Sequence, residues 1–269
     1  MKIDPIRLFS DYMRVVGTPN LNFPKADDIR LQGKKLGVIN GSNWVSLWSD
    51  WFGHKMIPGV KIVNVGNEAV QLNFMTAYKK GEPCPPQENI DCFCRYGLDL
   101  KNIYDVDVVM ISCSTMNRAY KSIEVILKPF GVPVVQIDEA MMEEAVMSEG
   151  RILIIATHGP TVDSTRMLLE ETASRLDKKV CFADATIENA FELLGEGKII
   201  EHNIAIADTI REALEKTKID IVVLAQLSMS VFSFSYPDPI KEFGIKVLNS
   251  GETGFGRAGE ILKSLPSKR

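Results

Sequence analysis

Short apolar runs alternate with helix-length amphipathic segments along most of this chain. The clearest runs cover residues 35–40, 60–65, 107–112, 132–137, 151–156 and 219–225. Apolar runs of about four to eight residues predict strands that are buried on both faces, and the longer segments between them predict helical crossovers. The pattern therefore predicts an α/β fold with parallel sheets and helices on both faces.

Two other stretches do not follow the alternation. Residues 4–16 predict an amphipathic helix that stops at Gly17, and residues 18–33 then predict an irregular arm. Residues 81–97 carry several prolines and cysteines, and this composition predicts a loop that is long enough to be a lid.

The apolar run that begins at Asp107 ends in Ser112, Cys113, Ser114 and Thr115. Open α/β sheets bind ligands at the carboxyl ends of their strands, so Cys113 is a candidate nucleophile or base. Residues 116–128 predict a helix with Thr115 as its N-cap, and such a helix N-terminus would lower the pKa of the Cys113 thiol. The alternative is that Cys113 is only a small apolar residue at a strand end.

The second half of the chain repeats the first. Residues 107–116 align with residues 220–229, so that Cys113 corresponds to Gln226, and the register persists to the Phe-Gly pairs at 130–131 and 243–244. Upstream, residues 36–40 align with residues 153–157 after a drift of four positions. The repeat predicts two related α/β units whose strand-end loops would share one cleft about a pseudo-twofold axis.

Composition and charge restrict the class of protein. The chain has 269 residues, 45% of them hydrophobic, and a formal net charge of −4, so it lacks the basic footprint of a nucleic-acid-binding protein. No apolar run is long enough to cross a bilayer, and the N-terminus lacks the apolar core of a signal peptide. These features, with an odd count of five cysteines, predict a cytoplasmic protein without a membrane partner.

Three of the cysteines are close together in sequence, at Cys84, Cys92 and Cys94. Their spacing lacks the paired C-x-x-C knuckles of structural zinc sites, and no histidine lies nearby in sequence. We therefore predict no metal site here.

Four segments resemble the motifs of the aspartate/glutamate racemase superfamily, which includes hydantoin racemase, maleate isomerase and arylmalonate decarboxylase. Residues 112–115 stand in the place of the family's Cys-Asn-Thr, and residues 131–140 follow it. Residues 156–161 stand for its second Thr/Gly loop, and residues 224–228 for its Gly-Cys-Thr. The resemblance covers roughly residues 35–260.

The resemblance implies two pseudosymmetric α/β domains with the active site in the cleft between them. The first would comprise residues 1–130, including the arm at 1–34, together with residues 241–269; the second would comprise residues 131–240. It implies no cofactor and no metal, a small-molecule carboxylate as substrate, and a homodimer or higher homo-oligomer. In this family two cysteines flank the α-carbon of the substrate, and one thiolate removes a proton while the opposite thiol delivers another.

The chain departs from that pattern because Gln226 replaces the second cysteine. An amide can be neither a base nor an acid, so a symmetrical two-thiol racemisation is in doubt. The expected function is an isomerase or lyase that acts at a carbon next to a carboxylate through Cys113 alone, with Gln226 binding a carboxylate or oxyanion. The alternatives are a racemase with a non-cysteine second base and an inactive binding protein for small carboxylates.

His158 is the candidate for the missing second base, because an imidazole titrates near neutral pH. The alternative for His158 is a role in anchoring its loop. Hydroxyl and amide side chains near the strand ends are the expected substrate binders, and each could instead be a helix cap. They are Asn40, Ser42, Ser114, Thr115, Thr157, Thr161 and Ser228.

Overall fold

The computed structural model describes residues 3–17 and 25–266. The chain divides into two compact units, Met1–Gln136 with Phe255–Arg269 and Ile137–Gly254. The predicted N-terminal helix is present as α1 (Pro5–Val16), which Asp4 caps by accepting hydrogen bonds from the N–H groups of Ile6 and Arg7. Of the predicted irregular arm, residues 18–24 lie outside the described residues, and the remainder contains one 3₁₀ turn, Ile29–Leu31.

The first unit contains a four-stranded parallel sheet. Its strands are β1 (Lys35–Asn40), β2 (Lys61–Gly66), β3 (Val108–Ile111) and β4 (Val134–Gln136), in the order β2-β1-β3-β4. All four residues of β3 are fully buried, as a continuous apolar run predicts for a central parallel strand. Asp107 joins the beginnings of the two central strands, because its Oδ2 accepts a hydrogen bond of 2.8 Å from the backbone N–H of Lys35.

Helices connect these strands. After α1 they are α2 (Ser46–Met56), α3 (Glu68–Lys79), α4 (Gln87–Tyr104) and α5 (Tyr120–Leu127), and the last helix of the chain, α12 (Ser250–Ser264), returns to the first unit. Phe93, Leu100, Ile123 and Leu127 pack against Ile111 in the core that joins α4 and α5 to the sheet.

The second unit has the same architecture. Its strands are β5 (Arg151–Ala156), β6 (Cys181–Thr186), β7 (Ile221–Leu224) and β8 (Lys246–Asn249), in the order β6-β5-β7-β8, and all pairs are parallel. Its helices are α6 (Glu139–Met147), α7 (Gly159–Arg175), α8 (Ala190–Gly195), α9 (Ile199–Lys216), α10 (Phe232–Ser235) and α11 (Pro239–Phe243). Two parallel sheets with flanking helices confirm the predicted α/β class.

The unit boundaries differ from the predicted domain boundaries. The prediction placed them after residues 130 and 240, whereas the units divide after Gln136 and Gly254. The reason is strand pairing, because β4 pairs with β3 in the first sheet and β8 pairs with β7 in the second. Each unit therefore keeps the strand that follows its Phe-Gly turn.

The two sheets also reveal the register of the internal repeat. Leu36 pairs with Val108 in the first sheet, and Ile152 pairs with Ile221 in the second. By this pairing Gly41, rather than the predicted Asn40, is the counterpart of Thr157. The predicted alignment of the first strands was wrong by one residue. A uniform apolar run contains few distinctive residues, so a shift of one position matches almost as well.

The predicted loop at residues 81–97 is largely helix. Helix α4 begins at Gln87, directly after Pro85 and Pro86, and Cys92, Phe93 and Gly97 lie on its buried side. Prolines are tolerated at a helix N-terminus, and the apolar residues after Pro86 have helical spacing. Within residues 3–17 and 25–266, no helix has the combination of length and apolar character that a membrane span requires.

Candidate active site

Cys113 stands at the carboxyl end of β3, where the strand gives way to a 3₁₀ helix, Ser114–Ala119. Its side chain is partly exposed, unlike the buried residues of β3 before it. Its Sγ lies 3.3 Å from the hydroxyl oxygen of Thr115. The fold thus delivers an accessible thiol to the edge at which open α/β sheets bind ligands.

The helix after Cys113 differs from the prediction. Thr115 is not an N-cap but lies inside the 3₁₀ helix, and α5 begins only at Tyr120. Met116 and Ala119, three residues apart, are both buried, so this side of the 3₁₀ helix faces the core.

Gly41, the residue after β1, lies directly against the thiol. A Cβ atom at this position would be 2.6 Å from Sγ of Cys113, closer than packed atoms approach. The absence of a side chain at Gly41 therefore leaves the space that the thiol occupies. In the second unit the counterpart of Gly41 is Thr157, whose side chain instead bonds to Gln226, the counterpart of Cys113.

A buried polar network of Ser49, Asp50, Asn64, Asn40 and Ser112 lies beside Cys113. Asn64 donates from Nδ2 to Oδ1 of Asp50 at 2.8 Å, and Asn40 donates from Nδ2 to Oδ1 of Asn64 at 3.0 Å. The Oδ1 atom of Asn40 accepts from the hydroxyl of Ser49 at 2.8 Å and from that of Ser112 at 2.5 Å. The network thus links α2 and β2 to the residue that precedes Cys113.

These contacts occupy both ends of the Asn40 amide. Asn40 is fully buried, its Oδ1 accepts two hydroxyl donors, and its Nδ2 also lies 3.4 Å from the carbonyl oxygen of Val65. We predicted Asn40 as a substrate binder. The structure instead engages its side chain with protein groups, because α2 and β2 both bring partners to it.

Asp50 was missed in the sequence. Burial raises the pKa of its carboxyl to about 7, and the hydrogen bond from Asn64 opposes part of that rise. In the sequence, Asp50 is the one acidic residue between Trp48 and Phe52 in an apolar helix segment, and this position could have indicated that it is buried. The indication is weak, because an exposed acid can have the same neighbours in sequence and the burial of Asp50 depends on β2.

The other predicted hydroxyls of the first unit are mostly buried. Ser42 is 2% exposed, and its hydroxyl donates to Oε1 of Gln71. Ser114 is 7% exposed. Thr115 is partly exposed, and its hydroxyl contacts the thiol. Of these three, Thr115 is the one whose position best suits contact with a molecule at Cys113.

Gln226 follows β7 in the second unit and has a fixed amide orientation. Its Oε1 accepts from the backbone N–H of Thr157 at 2.9 Å and from the Thr157 hydroxyl at 2.9 Å. A backbone N–H can only donate, so the oxygen of the amide must face Thr157. The Nε2 group, which carries two donor hydrogens, lies within hydrogen-bond distance of Nδ1 of His158, at 3.4 Å.

His158 lies between these groups and α7. Its Nδ1 is 3.1 Å from the Thr157 hydroxyl, and its two ring nitrogens are 3.5 Å and 3.4 Å from the Thr161 hydroxyl. Burial lowers the pKa of His158, and the negative charge of Glu192 partly opposes this shift. The ring is therefore held mainly as neutral imidazole at neutral pH.

The structure brings Thr157, His158, Thr161 and Gln226 together at the ends of β5 and β7, which are adjacent parallel strands. Ser228 is 5% exposed, in the 3₁₀ helix Leu227–Val231.

Two residues of α8 near His158 were missed. The ring of Phe191 lies 6.1 Å from that of His158, and Glu192 acts on its charge. Both residues follow β6, the strand next to β5. Their position after the carboxyl end of a neighbouring strand could have indicated that they lie near His158.

The two units thus present different chemistry at corresponding strand ends. The first offers a thiol, and the second offers an amide N–H and a neutral imidazole. A thiolate can take a proton or attack as a nucleophile, while an N–H donor can stabilise an oxyanion. No cluster of three or more metal-ligating side chains occurs in the described parts of the chain.

Comparison with known proteins is informative at the level of the family. Residues 98–256 match the family model described as Asp/Glu/Hydantoin racemase. This span contains β3 to β8 and therefore both Cys113 and Gln226. A search of curated proteins found no significant match.

Solved structures share the fold at low sequence identity. A glutamate racemase from Bacillus anthracis superposes with a TM-score of 0.59 at 16% identity, over 86% of this chain and 82% of that one. An aspartate racemase homologue from Pyrococcus horikoshii OT3 gives 0.60 at 14% identity, over 86% and 100%. An allantoin racemase from Klebsiella pneumoniae gives 0.55 at 15%, over 88% and 95%.

Proposed function

Because the chain belongs to the Asp/Glu/hydantoin racemase family, we propose that it is a cofactor-independent isomerase or lyase acting at a carbon next to a carboxylate. Its substrate is a small carboxylic or amino acid, and Cys113 is its reactive thiolate. The observation that carries the proposal is the partly exposed thiol at the carboxyl end of β3, in the space that Gly41 leaves open. Membership of the family supports the isomerase or racemase type of enzyme, and the finer assignment is ours.

The proposed role of Cys113 depends on the reaction. In isomerisation the thiolate adds to a carbon–carbon double bond next to the carboxylate, and the electron pair passes into the carboxylate as an enediolate; after rotation about the new single bond the pair returns, the thiolate leaves, and the double bond is restored in the other geometry. In the lyase form the bond to a second carboxylate breaks, carbon dioxide leaves, and the thiol proton goes to the carbanion. Thr115, 3.3 Å from Sγ, is positioned to hydrogen-bond the sulfur in either step.

The proposed role of Gln226 is to hold negative charge. Its oxygen is occupied by two donors from Thr157, so the amide offers Nε2–H to a carboxylate or to an enediolate oxygen. Charge stabilisation of this kind is needed because a carbon next to a carboxylate is a weak acid. Ser114, Thr115, Thr157, Thr161 and Ser228 are retained as proposed substrate binders.

A racemase in which His158 is the second base is the second candidate. The lowered pKa of His158 favours it, because a neutral imidazole can accept a proton at neutral pH. Racemisation and one-sided exchange differ in the product, since only the racemase forms the opposite enantiomer. The third possibility, a binding protein without catalysis, predicts ligand binding with no exchange.

The test is deuterium incorporation at the carbon next to the carboxylate, measured by mass spectrometry for a panel of small amino and dicarboxylic acids in D₂O. We expect exchange, or cis/trans conversion of an unsaturated dicarboxylic acid, in the native protein, loss of that reaction in Cys113→Ala, and its retention in Cys181→Ala, which removes an exposed thiol elsewhere. Chiral chromatography of the same samples separates racemisation from exchange alone, cis/trans conversion identifies an isomerase, and release of carbon dioxide identifies a lyase.

Exchange that survives in Cys113→Ala would overturn the role of Cys113. Thermal stabilisation by a panel member without exchange, inversion, cis/trans conversion or carbon dioxide release would favour the binding protein. Each outcome therefore selects one of the three functions.

A further inference from the structure

The buried polar network does more than fill space, because its members sit at the residues that frame the thiol. Asn40 immediately precedes Gly41, and Ser112 immediately precedes Cys113. The 2.5 Å hydrogen bond from the Ser112 hydroxyl to Asn40 therefore joins the ends of β1 and β3 next to the pair formed by Gly41 and the thiol.

The network runs in one direction. Its donors point towards Asp50, from Ser112 to Asn40, from Asn40 to Asn64, and from Asn64 to the carboxylate, and the Ser112 hydroxyl also lies 3.3 Å from the carbonyl oxygen of Ile39. Asn40 and Ser49 are fully buried, Asp50 and Ser112 are each 3% exposed, and Asn64 is half-buried. Burial of so many polar groups is costly unless each is hydrogen-bonded, and apolar side chains would fill the same volume at lower cost.

We propose that the chain of hydrogen bonds from Asp50 through Asn64 and Asn40 to Ser112 positions Cys113 for reaction, with Asp50 as its ionisable end. All four are positioning residues, because they act through the strand ends and not on a substrate. The inference rests on the proposed function only in taking Cys113 as the reactive thiol.

The charge of Asp50 acts on the end of the chain. An ionised carboxylate can only accept, so Asn64 must present Nδ2 to it and Oδ1 to Asn40, and the carbonyl oxygen of Val65 holds the Asn40 amide in the same orientation. A protonated Asp50 can donate to Oδ1 of Asn64 instead, which competes with the hydrogen bond from Asn40 and weakens the link to Ser112. The pKa of Asp50, about 7, places this change near neutral pH.

Few other charges bear on Asp50. Helix α2 packs against α1, β2 and the 3₁₀ turn Asn43–Val45, and Gly53 of α2 also lies against Phe255 of α12. The titratable side chains on these elements are Arg7, Asp11, Tyr12, Arg14, His54, Lys55, Lys61, Glu252, Arg257, Glu260 and Lys263. The pKa shift of Asp50 comes from burial and from the bond with Asn64, and Asp11 pairs with Arg7 and Arg14 on α1.

The test compares two serines that donate to the same oxygen of Asn40. Ser112→Ala removes the donor on the strand of Cys113, whereas Ser49→Ala removes the donor on α2. The readout is the rate of alkylation of Cys113 by iodoacetamide, followed by peptide mass spectrometry, with exposed Cys181 as the reference in the same digest. We expect the ratio of the Cys113 rate to the Cys181 rate to fall about fivefold or more in Ser112→Ala and less than about twofold in Ser49→Ala.

The pH dependence tests the role of Asp50. The Cys113 rate in the native protein, divided by the Cys113 rate in Asp50→Asn, should rise as the pH passes 7, since ionisation of Asp50 fixes the donors and ionisation of the thiol itself is common to both proteins. A native-to-variant ratio that falls through pH 7 would instead indicate repulsion between two negative charges and would overturn positioning. Equal effects of the two serine variants, or a native-to-variant ratio that stays constant through pH 7, would also overturn it.

Alkylation needs no substrate, so the two proposals fail separately. A network effect on alkylation in a protein that shows no deuterium exchange, cis/trans conversion or carbon dioxide release would leave the network standing and refute the function. Exchange that is unchanged in Ser112→Ala would leave the function standing and refute the network. Circular dichroism of each variant confirms that it is folded.

Discussion

The thiol of Cys113 lies so close to Gly41 that a Cβ atom at Gly41 would be 2.6 Å from the sulfur. The corresponding pair in the second unit, Gln226 and Thr157, is joined by a hydrogen bond of 2.9 Å between side chains. In the first unit the residue next to the thiol has no side chain, whereas in the second unit the corresponding residue hydrogen-bonds the amide. The thiol of Cys113 therefore has room beside Gly41, while the amide of Gln226 is held by Thr157.

Gly41→Ala should displace the thiol. The added methyl group overlaps with Sγ, and overpacking of this kind costs about 1–3 kcal/mol. We expect a fall of about tenfold in the rate of Cys113 alkylation, with a loss of a few degrees in Tm. The matched control is Gly256→Ala, where a Cβ meets nothing within 4 Å. An unchanged alkylation rate in Gly41→Ala would show that the thiol does not depend on this space.

Gln226→Cys should introduce racemisation if Gln226 occupies the place of the family's second cysteine, as the internal repeat predicts. A thiol can deliver a proton, which an amide cannot. The matched control is Gln226→Ala, because both variants remove the shared acceptor of the Thr157 N–H and hydroxyl but only one adds a thiol. Chiral chromatography should detect the opposite enantiomer with Gln226→Cys alone. Identical products from the two variants would contradict the assignment.

Asp50→Asn should change how stability depends on pH. The folded carboxyl has a pKa of about 7, above the value of 3.8 for an unperturbed aspartate, so between these values the unfolded state releases its proton while the folded state keeps it. Stability is therefore lost as the pH rises from about 4 to 7, by an amount on the order of 2–4 kcal/mol. Urea unfolding at pH 5 and pH 8 should show a smaller pH effect in Asp50→Asn, whereas exposed Asp99→Asn should retain the native difference.

The parts of the fold that could be predicted are those that local pattern decides. The apolar runs of β3 and β5 predicted buried parallel strands, and the strand ends then indicated Cys113, Thr157 and Gln226 as site residues. The contacts among Thr157, His158 and Gln226 follow, because the carboxyl ends of adjacent parallel strands lie at one edge of a sheet.

Other features depend on contacts between residues that are distant in sequence. The burial of Asp50 and the saturation of Asn40 result from α2 and β2 meeting at β1, and no local pattern reports this. The helical start at Gln87 was hidden by the two prolines before it, which signal a loop and a helix N-terminus equally well.

His158 should titrate below the usual histidine range. Burial lowers its pKa from 6.5, and Glu192 opposes the shift, so Glu192→Gln should lower the midpoint further. NMR titration of the imidazole, assigned by the signal lost in His158→Gln, measures both. Because the folded pKa is depressed, the stability contributed by the neutral ring is lost as the pH falls through 6.5 towards the folded pKa. A midpoint above 6.5 would remove the support for His158 as a neutral base.

Helix α1 carries an apolar face that should be buried in a homodimer. Its large exposed residues, with Ile3 just before the helix, are Ile3, Ile6, Leu8, Phe9, Tyr12 and Met13, and none of the helix residues is buried. If each side chain buries on the order of 100 Å² of surface, about half of what a large side chain can bury, together they bury roughly 600 Å². A standard interface takes about 800 Å² from each partner, so α1 supplies most of one. The charges of the opposite face pair within the helix, between Asp11 and both Arg7 and Arg14, and leave the apolar face as the main determinant of contact.

Phe9→Arg should therefore dissociate the dimer, because it places a charge in the centre of that face. Ser10→Arg adds the same charge on the polar side of α1 and is the matched control. Analytical ultracentrifugation across a range of protein concentrations should give a dimer for the native chain and for Ser10→Arg, and a monomer for Phe9→Arg. A native chain that sediments as a monomer, or a dimer that survives Phe9→Arg, would show that α1 does not form the interface.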